Sequence, residues 1–395
     1  MNKILCSVIG IFCLFLALPQ DAYAIKAWAT KYNVSCSTCH GAGGPTSLTP
    51  LGRDFLRRGH RMSDDEVNIG LDNLFSINTK FRAHDSNAPG RNSTFEVHAF
   101  SIYTGGMMSS HFSYFTEMYL YENTGKTSGP ADSAYHSKLA DAYIMWNSRP
   151  DKSSFTTVKF GQISSDVINL YMMAGPRYSE TRPYIVNNSA VSPNGYKPFM
   201  RNFGVEIGQT VNRFHANLGV LNGTGASFTN SIDNNESKDV YASVDYDLDS
   251  QGSAVGVYGY KGRGLITPST GLIWENDFHR VGVFGQYSQG RLGLTGAVTR
   301  GQEQVDALGA KTNNTGVLAG ADWTLSDDLV VFGRYDYFDS NNAKANDQMS
   351  GPVFGLTYRL LETGRIVFQY SKQGKWVPTD KSKFWECRTE LSFMF

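Results

Sequence analysis

The sequence predicts an all-β fold: a 16-stranded antiparallel transmembrane β-barrel with a small N-terminal helical and loop plug. Three observations predict it. Apolar and polar residues alternate with a period of two through most of the chain, the links between alternating runs are by turns short and long, and the first residues form an export signal. Successive strand side chains point to opposite faces, so this alternation makes one face apolar and the other polar. A barrel in a bilayer turns the first to lipid and the second to its lumen.

The chain opens MNKILCSVIGIFCLFLALPQDAYA. Lys3 precedes an apolar run from Ile4 to Leu18, and a polar break leads to Ala22-Tyr23-Ala24. These are the three regions of a secretory signal peptide, with cleavage expected after Ala24. The run is short for a spanning helix, which takes about 20 apolar residues. Cys6 and Cys13 leave with the signal, so the mature chain keeps Cys36, Cys39 and Cys387. Three cysteines in an exported chain exclude a disulfide-stapled scaffold. The 36 basic and 36 acidic residues balance, which points away from nucleic acid and from an electrostatic membrane anchor.

Residues 25–70 form the expected plug, and its chemistry lies in NVSCSTCH, residues 33–40. In C-x-x-C-H two thiols add to the vinyl groups of a haem and the adjacent imidazole ligates its iron. A zinc site needs two further ligands, and Cys387 is expected to face lipid on the last strand. A redox dithiol belongs near a βαβ pattern, which is missing here. Cys36 and Cys39 are therefore read as the covalent haem attachment and His40 as the axial ligand; coincidence or a local disulfide are the alternatives. The run TPLGRDFLRRG predicts a short helix, with Thr49 as N-cap, Pro50 in the first turn and Gly59 as the stop. Leu51 and Phe55 are expected to share one apolar stripe, and Arg53, Arg57 and Arg58 are candidates for the haem propionates. Met62 or His60 is the candidate distal ligand, Met62 being favoured, with His84, His98 and His111 as more remote alternatives. So short a segment builds no core of its own. Covalent haem supplies an apolar centre, and a barrel of sixteen strands has room for the plug in its mouth.

The strands are expected near residues 71–83, 94–103, 110–122, 135–147, 154–163, 202–211, 214–222, 239–247, 253–261, 276–287, 291–299, 316–324, 328–338, 351–360, 364–371 and 384–395. The last is the clearest: Trp385, Cys387, Thr389, Leu391, Phe393 and Phe395 alternate with Glu386, Arg388, Glu390 and Ser392. Links after even strands are short, and those after odd strands are long, the longest running from Ser164 to Arg201. Short periplasmic turns opposite long outer loops are the habit of outer-membrane barrels. A sandwich or propeller also has many short strands, but nothing in it requires that alternation. Glu206, Asp239, Asp245, Arg334 and Arg388 are the expected lumen charges. Aromatic residues at 13% suit two interfacial girdles.

Four short runs carry a first resemblance: Asp141-Ala142-Tyr143, Lys159-Phe160-Gly161-Gln162, Arg201-Asn202-Phe203-Gly204-Val205 and Gly219-Val220-Leu221-Asn222-Gly223. Their order resembles the phosphate-selective porin superfamily. The haem segment carries a second, in TKYNVSCSTCH followed by LTPLGRDFLRRGHRM. With the export signal and the barrel, it resembles the fused monohaem cytochrome–porins of the outer membrane, the iron-oxidising outer-membrane cytochromes. The glycine-rich run Gly41 to Pro45 and His60 depart from that family's pattern. The resemblance implies one covalent haem c on Cys36, Cys39 and His40. It also implies electron transfer between an extracellular donor, Fe(II), and a periplasmic c-type cytochrome. No residue reads as a general acid, base or nucleophile, so the transfer is expected to be outer-sphere. The rival expectations are extracellular metal reduction in the reverse direction and a passive solute porin whose haem is structural.

Overall fold

A computed structural model of the chain describes residues 26–40, 48–62, 75–87, 93–123, 138–148, 153–164, 178–187, 196, 198, 201–223, 235–266, 273–345, 347–361, 363–373 and 384–394. The expected export segment, the glycine-rich run Gly41 to Pro45 and Phe395 lie outside the described residues.

Sixteen strands close on themselves, each antiparallel to its sequence neighbours and β1 pairing with β16. They are β1 Phe75–Ser86, β2 Thr94–Met107, β3 Phe112–Glu122, β4 Lys138–Asn147, β5 Ser154–Ile163, β6 Asn202–Val211, β7 Phe214–Leu221 and β8 Asp239–Asp247. The second half comprises β9 Ala254–Ile266, β10 Trp274–Gln289, β11 Leu292–Gln304, β12 Lys311–Ser326, β13 Leu329–Asp339, β14 Met349–Arg359, β15 Gly364–Gln373 and β16 Phe384–Met394. The expected strand number and fold are both present. Sequence alternation placed β5, β6 and β8 to the residue and stopped β9 and β12 short, at Lys261 and Gly316. The missed ends, such as Thr312-Asn313-Asn314, pair with Glu303 to Gly301 of β11. The β12 end is polar on both faces, so a strand persists there without the apolar alternation that reveals one.

Along β8, Val240, Ala242, Val244 and Tyr246 are exposed while Asp239, Tyr241, Ser243 and Asp245 are buried. Ile207, Val220, Val257, Val283, Val298 and Phe354 extend that exposed belt around the barrel. A one-residue slip in any pairing exchanges the two faces, so the belt pins the register. Cys387 points outward, as expected.

The lumen is packed. Asp239, Asp336 and Glu390 each show 0% exposure. A buried charge is tolerated only with counter-charges and hydrogen bonds around it, and these are supplied. Lys159 meets Glu206 at 3.0 Å, Arg201 bridges Asp141 at 2.7 Å and Glu117 at 2.8 Å, and Arg334 meets Asp336 at 2.9 Å.

Part of the filling comes from the long β5–β6 link, whose inward fold the sequence reading missed. Tyr178 packs on Val330, Phe332, Val353 and Val367. Ile185 and Val186, on a turn of helix Tyr184–Asn187, join Tyr258, Phe284 and Leu318. Arg334 donates to the Ser179 hydroxyl at 2.5 Å and the Thr181 carbonyl at 2.8 Å, and Thr357 donates to the Tyr178 carbonyl at 3.0 Å.

Candidate functional site at the short-turn mouth

Three helices form the plug: α1 Lys26–Tyr32, α2 Cys36–Cys39 and α3 Pro50–Arg57. Thr49 caps α3 as expected, accepting from the Gly52 N–H at 3.1 Å. Its hydroxyl donates to the Thr38 carbonyl at 2.7 Å, and its N–H donates to the Cys39 carbonyl at 2.9 Å. One residue therefore starts the helix and ties it to the cysteine turn. Gly52 allows the contact: a Cβ there would stand 2.2 Å from the Cys39 carbonyl oxygen. Helix α3 ends on Gly59 at φ +79°. The Gly59 N–H donates to the Leu56 carbonyl at 3.1 Å, and the His60 N–H to the Phe55 carbonyl at 2.9 Å. That paired closure is a Schellman motif, with His60 against Phe55 as its side-chain contact (5.7 Å between ring centroids).

The polar and charged barrel groups that meet α1 and α3 here lie at the end with the short turns, while Leu56 packs deeper, on the cluster of Tyr258, Phe284 and Leu318. The Trp28 indole donates to the Gly105 carbonyl at 2.9 Å, and the Asn147 amide donates to the Arg58 carbonyl at 3.4 Å. Arg58 lies over the Phe155 ring at 5.2 Å. Arg57 donates to Asp245 at 2.9 Å and Asp247 at 3.1 Å, with Arg53 3.7 Å from Asp247.

Arg53 and Arg57 meet β8 carboxylates, and Arg58 meets Asp54 at 2.6 Å. Phe55 is 5% exposed, and Leu51, one turn earlier on α3, is 40% exposed. The interior that α3 enters is a barrel lumen, and a polar lumen takes in arginines as readily as leucines. His215, Asp245 and Asp247 have ligand atoms within 4.8 Å of one another, a spacing a metal could use. Arg57 is the cation among them.

Cys39 is a free, half-buried thiol whose pKa burial raises. His40 pairs with Leu48 in an isolated antiparallel bridge. Its Nδ1 is buried without a hydrogen-bond partner, and burial, followed by the Arg365 charge, lowers its pKa to about 4. The imidazole is therefore neutral at pH 7, the form that binds a metal. Cys36, Cys39 and His40 fall on one helical turn and the residue after it, as haem attachment requires.

His60 sits at the far end of α3. It is 1% exposed at φ +63°, stacked on Trp28 (4.6 Å, 18°) and enclosed by Phe55, Phe115 and Tyr143. Neither ring nitrogen has a hydrogen-bond partner, and burial holds its pKa at about 3. Met62 is half-buried at the end of the described plug, beside Tyr32. His98 lies 3.0 Å from Arg82, His111 lies 2.7 Å from the Asn147 carbonyl, and His84 faces Arg388 across β1 and β16. Trp28 and Gly52 were not singled out in the sequence. The close approach of Gly52 to Cys39 is a tertiary fact with no local signature.

Strand number, antiparallel closure and outward apolar belt define the fold of an outer-membrane porin, here with an N-terminal segment seated in one mouth. Solved structures with this fold include OmpT of Vibrio cholerae, at TM-score 0.58 and 10% identity, covering 81% of this chain and 97% of that one. An anion-selective porin from Comamonas acidovorans is similar at TM-score 0.58 and 13% identity, over 82% and 98%. The outer-membrane channel DcaP of Acinetobacter baumannii gives 0.57 and 10%, over 81% and 96%. No family model and no curated protein sequence matches the chain.

Proposed function

We propose that the protein is an outer-membrane cytochrome–porin. In this reading one haem c, held by Cys36, Cys39 and His40, passes electrons from an extracellular donor, Fe(II), to a periplasmic c-type cytochrome. The exposed belt of Ile207, Val220, Val257 and Val283 supports a lipid-facing surface. Short turns of such barrels face the periplasm, which puts the plug, and with it Cys39 and His40, within reach of a periplasmic partner. When bound, the haem supplies one reversible electron at its iron. The chain's own residues orient it: Thr49 and Gly52 fix the cysteine turn, and burial keeps His40 neutral.

The observation that carries the reading is the C-x-x-C-H turn, tied by Thr49 and Gly52 to a helix seated in the short-turn mouth. Liposomes containing an electron acceptor test it. Purified protein should reduce the entrapped acceptor with external Fe(II), swell little with small sugars, and stain for covalent haem; Cys36→Ser should lose the stain and the electron passage. Swelling without electron passage would replace this reading with the passive porin.

A further inference from the structure

The inward-folded part of the β5–β6 link is fastened along one wall of the lumen, β13 to β15. Glu180 is held there at two points. Its N–H donates to the Gln369 side-chain oxygen at 2.8 Å, and its carboxyl oxygen accepts from Arg365 at 2.8 Å. Between those two residues, on the same face of β15, stands Val367, whose partner across the ladder is Glu390 of β16. The register therefore sets the Glu180 carboxyl beside the Glu390 carboxyl, and the two hydrogen-bond each other. Both are buried, at 4% and 0% side-chain exposure. An ionised carboxyl only accepts hydrogen bonds, so this contact requires a proton on one of the pair.

The surrounding charges decide which carboxyl keeps it. Lys80 and Arg82 of β1 meet Glu390 at 3.6 Å and 3.1 Å, and Arg82 also reaches His98 and Glu96 of β2. Arg388 of β16, the ladder partner of Gln369, is paired with Glu386. Glu180 thus has Arg365 where Glu390 has two cations, which leaves the proton on Glu180. We propose that the Glu180–Glu390 pair is a proton-operated fastening of the β5–β6 link: with the proton in place the link lies on the wall, and its loss sets two buried negative charges against each other and loosens the link. This fastening does not depend on the haem. Burial, followed by the Glu390 charge, raises the Glu180 pKa from 4.5 to about 7. A released Glu180 returns to the ordinary value, so the fastened link binds the proton more tightly than the released one. Fastening is therefore strongest below pH 4.5, weakens as the pH rises toward about 7, and is level above it. Each pH unit within that window changes the fastened-to-released ratio by up to about tenfold.

The test compares the full-length wild type with Glu180→Gln, whose side chain still hydrogen-bonds but has no proton to lose. Heat-modifiable gel migration reports the folded barrel. Hydrogen–deuterium exchange of the link, residues 178–187, is followed from acid to mildly alkaline pH and corrected at each pH for the intrinsic exchange rate. Near pH 4.5, where Glu180 keeps its proton, the two proteins should protect the link equally. Above about pH 7 the wild type should lose at least about tenfold of that protection, while Glu180→Gln keeps it and β13 and β15 are unchanged in both. If Glu180→Gln does not fold, Glu390→Gln removes the other half of the pair and takes its place, with the same result expected. Link protection in the wild type that does not change with pH would overturn the proposal, as would a folded variant that loses protection in step with the wild type.

Discussion

The Arg57 guanidinium of the plug meets the Asp245 carboxylate of the barrel wall at 2.9 Å, with both side chains buried. Removing one partner of a buried pair strands the other charge and costs about 3–5 kcal/mol. Here that cost falls on the seating of the plug, because Asp245 remains held in the closed sheet. Arg57→Ala should therefore leave heat-modifiability unchanged and raise the rate at which protease cuts the plug at least tenfold. A wild-type cleavage rate would show that the pair does not hold the plug.

Gly52→Ala forces a methyl to within 2.2 Å of the Cys39 carbonyl oxygen. Such overpacking costs about 1–3 kcal/mol, and backbone cannot yield as a flexible side chain can. The cysteine turn should separate from α3. Haem stain per chain should fall severalfold while barrel folding is unaffected, as a gel of equal protein loads will show.

Trp28 joins His60, Phe55 and Phe115 in one ring cluster and bonds Gly105 through its indole. Truncating a fully buried aromatic costs about 3–5 kcal/mol, and the half-buried Trp28 should cost somewhat less. Trp28→Ala should release the N-terminal helix, read as a large loss of hydrogen-exchange protection in residues 26–40 with β2 and β3 unaltered. Retained protection would contradict the clamp.

For the proposed haem, Met62 and His60 are the candidate distal ligands. His60 is walled in by four rings at the far end of α3 from the cysteine turn. Met62→Ala should abolish the near-infrared charge-transfer band of a methionine-ligated ferric haem, and His60→Ala should leave it. The reverse pattern would assign His60.

Much of the barrel was legible because a strand between lipid and water must alternate, and β8 and β16 do so without interruption. The C-x-x-C-H motif was legible because its spacing is local. The α3 boundaries were legible for the same reason, Thr49 and Gly59 each acting within a few residues. What escaped depends on partners remote in sequence. Arg57 finds Asp245 188 residues away, and Arg334 finds Ser179 155 residues away. An arginine destined for a lumen carboxylate, as Arg57 is, looks in the sequence like any other exposed arginine. The β5–β6 link offered one usable signal, apolar Ile185 and Val186 in a segment too long for a plain loop.

Covalent haem content of the purified barrel tests the central claim most directly. Pyridine haemochrome on detergent-extracted outer membranes should give one haem per chain for the wild type and none for Cys36→Ser at equal barrel yield. A folded wild-type barrel without bound haem would contradict the account.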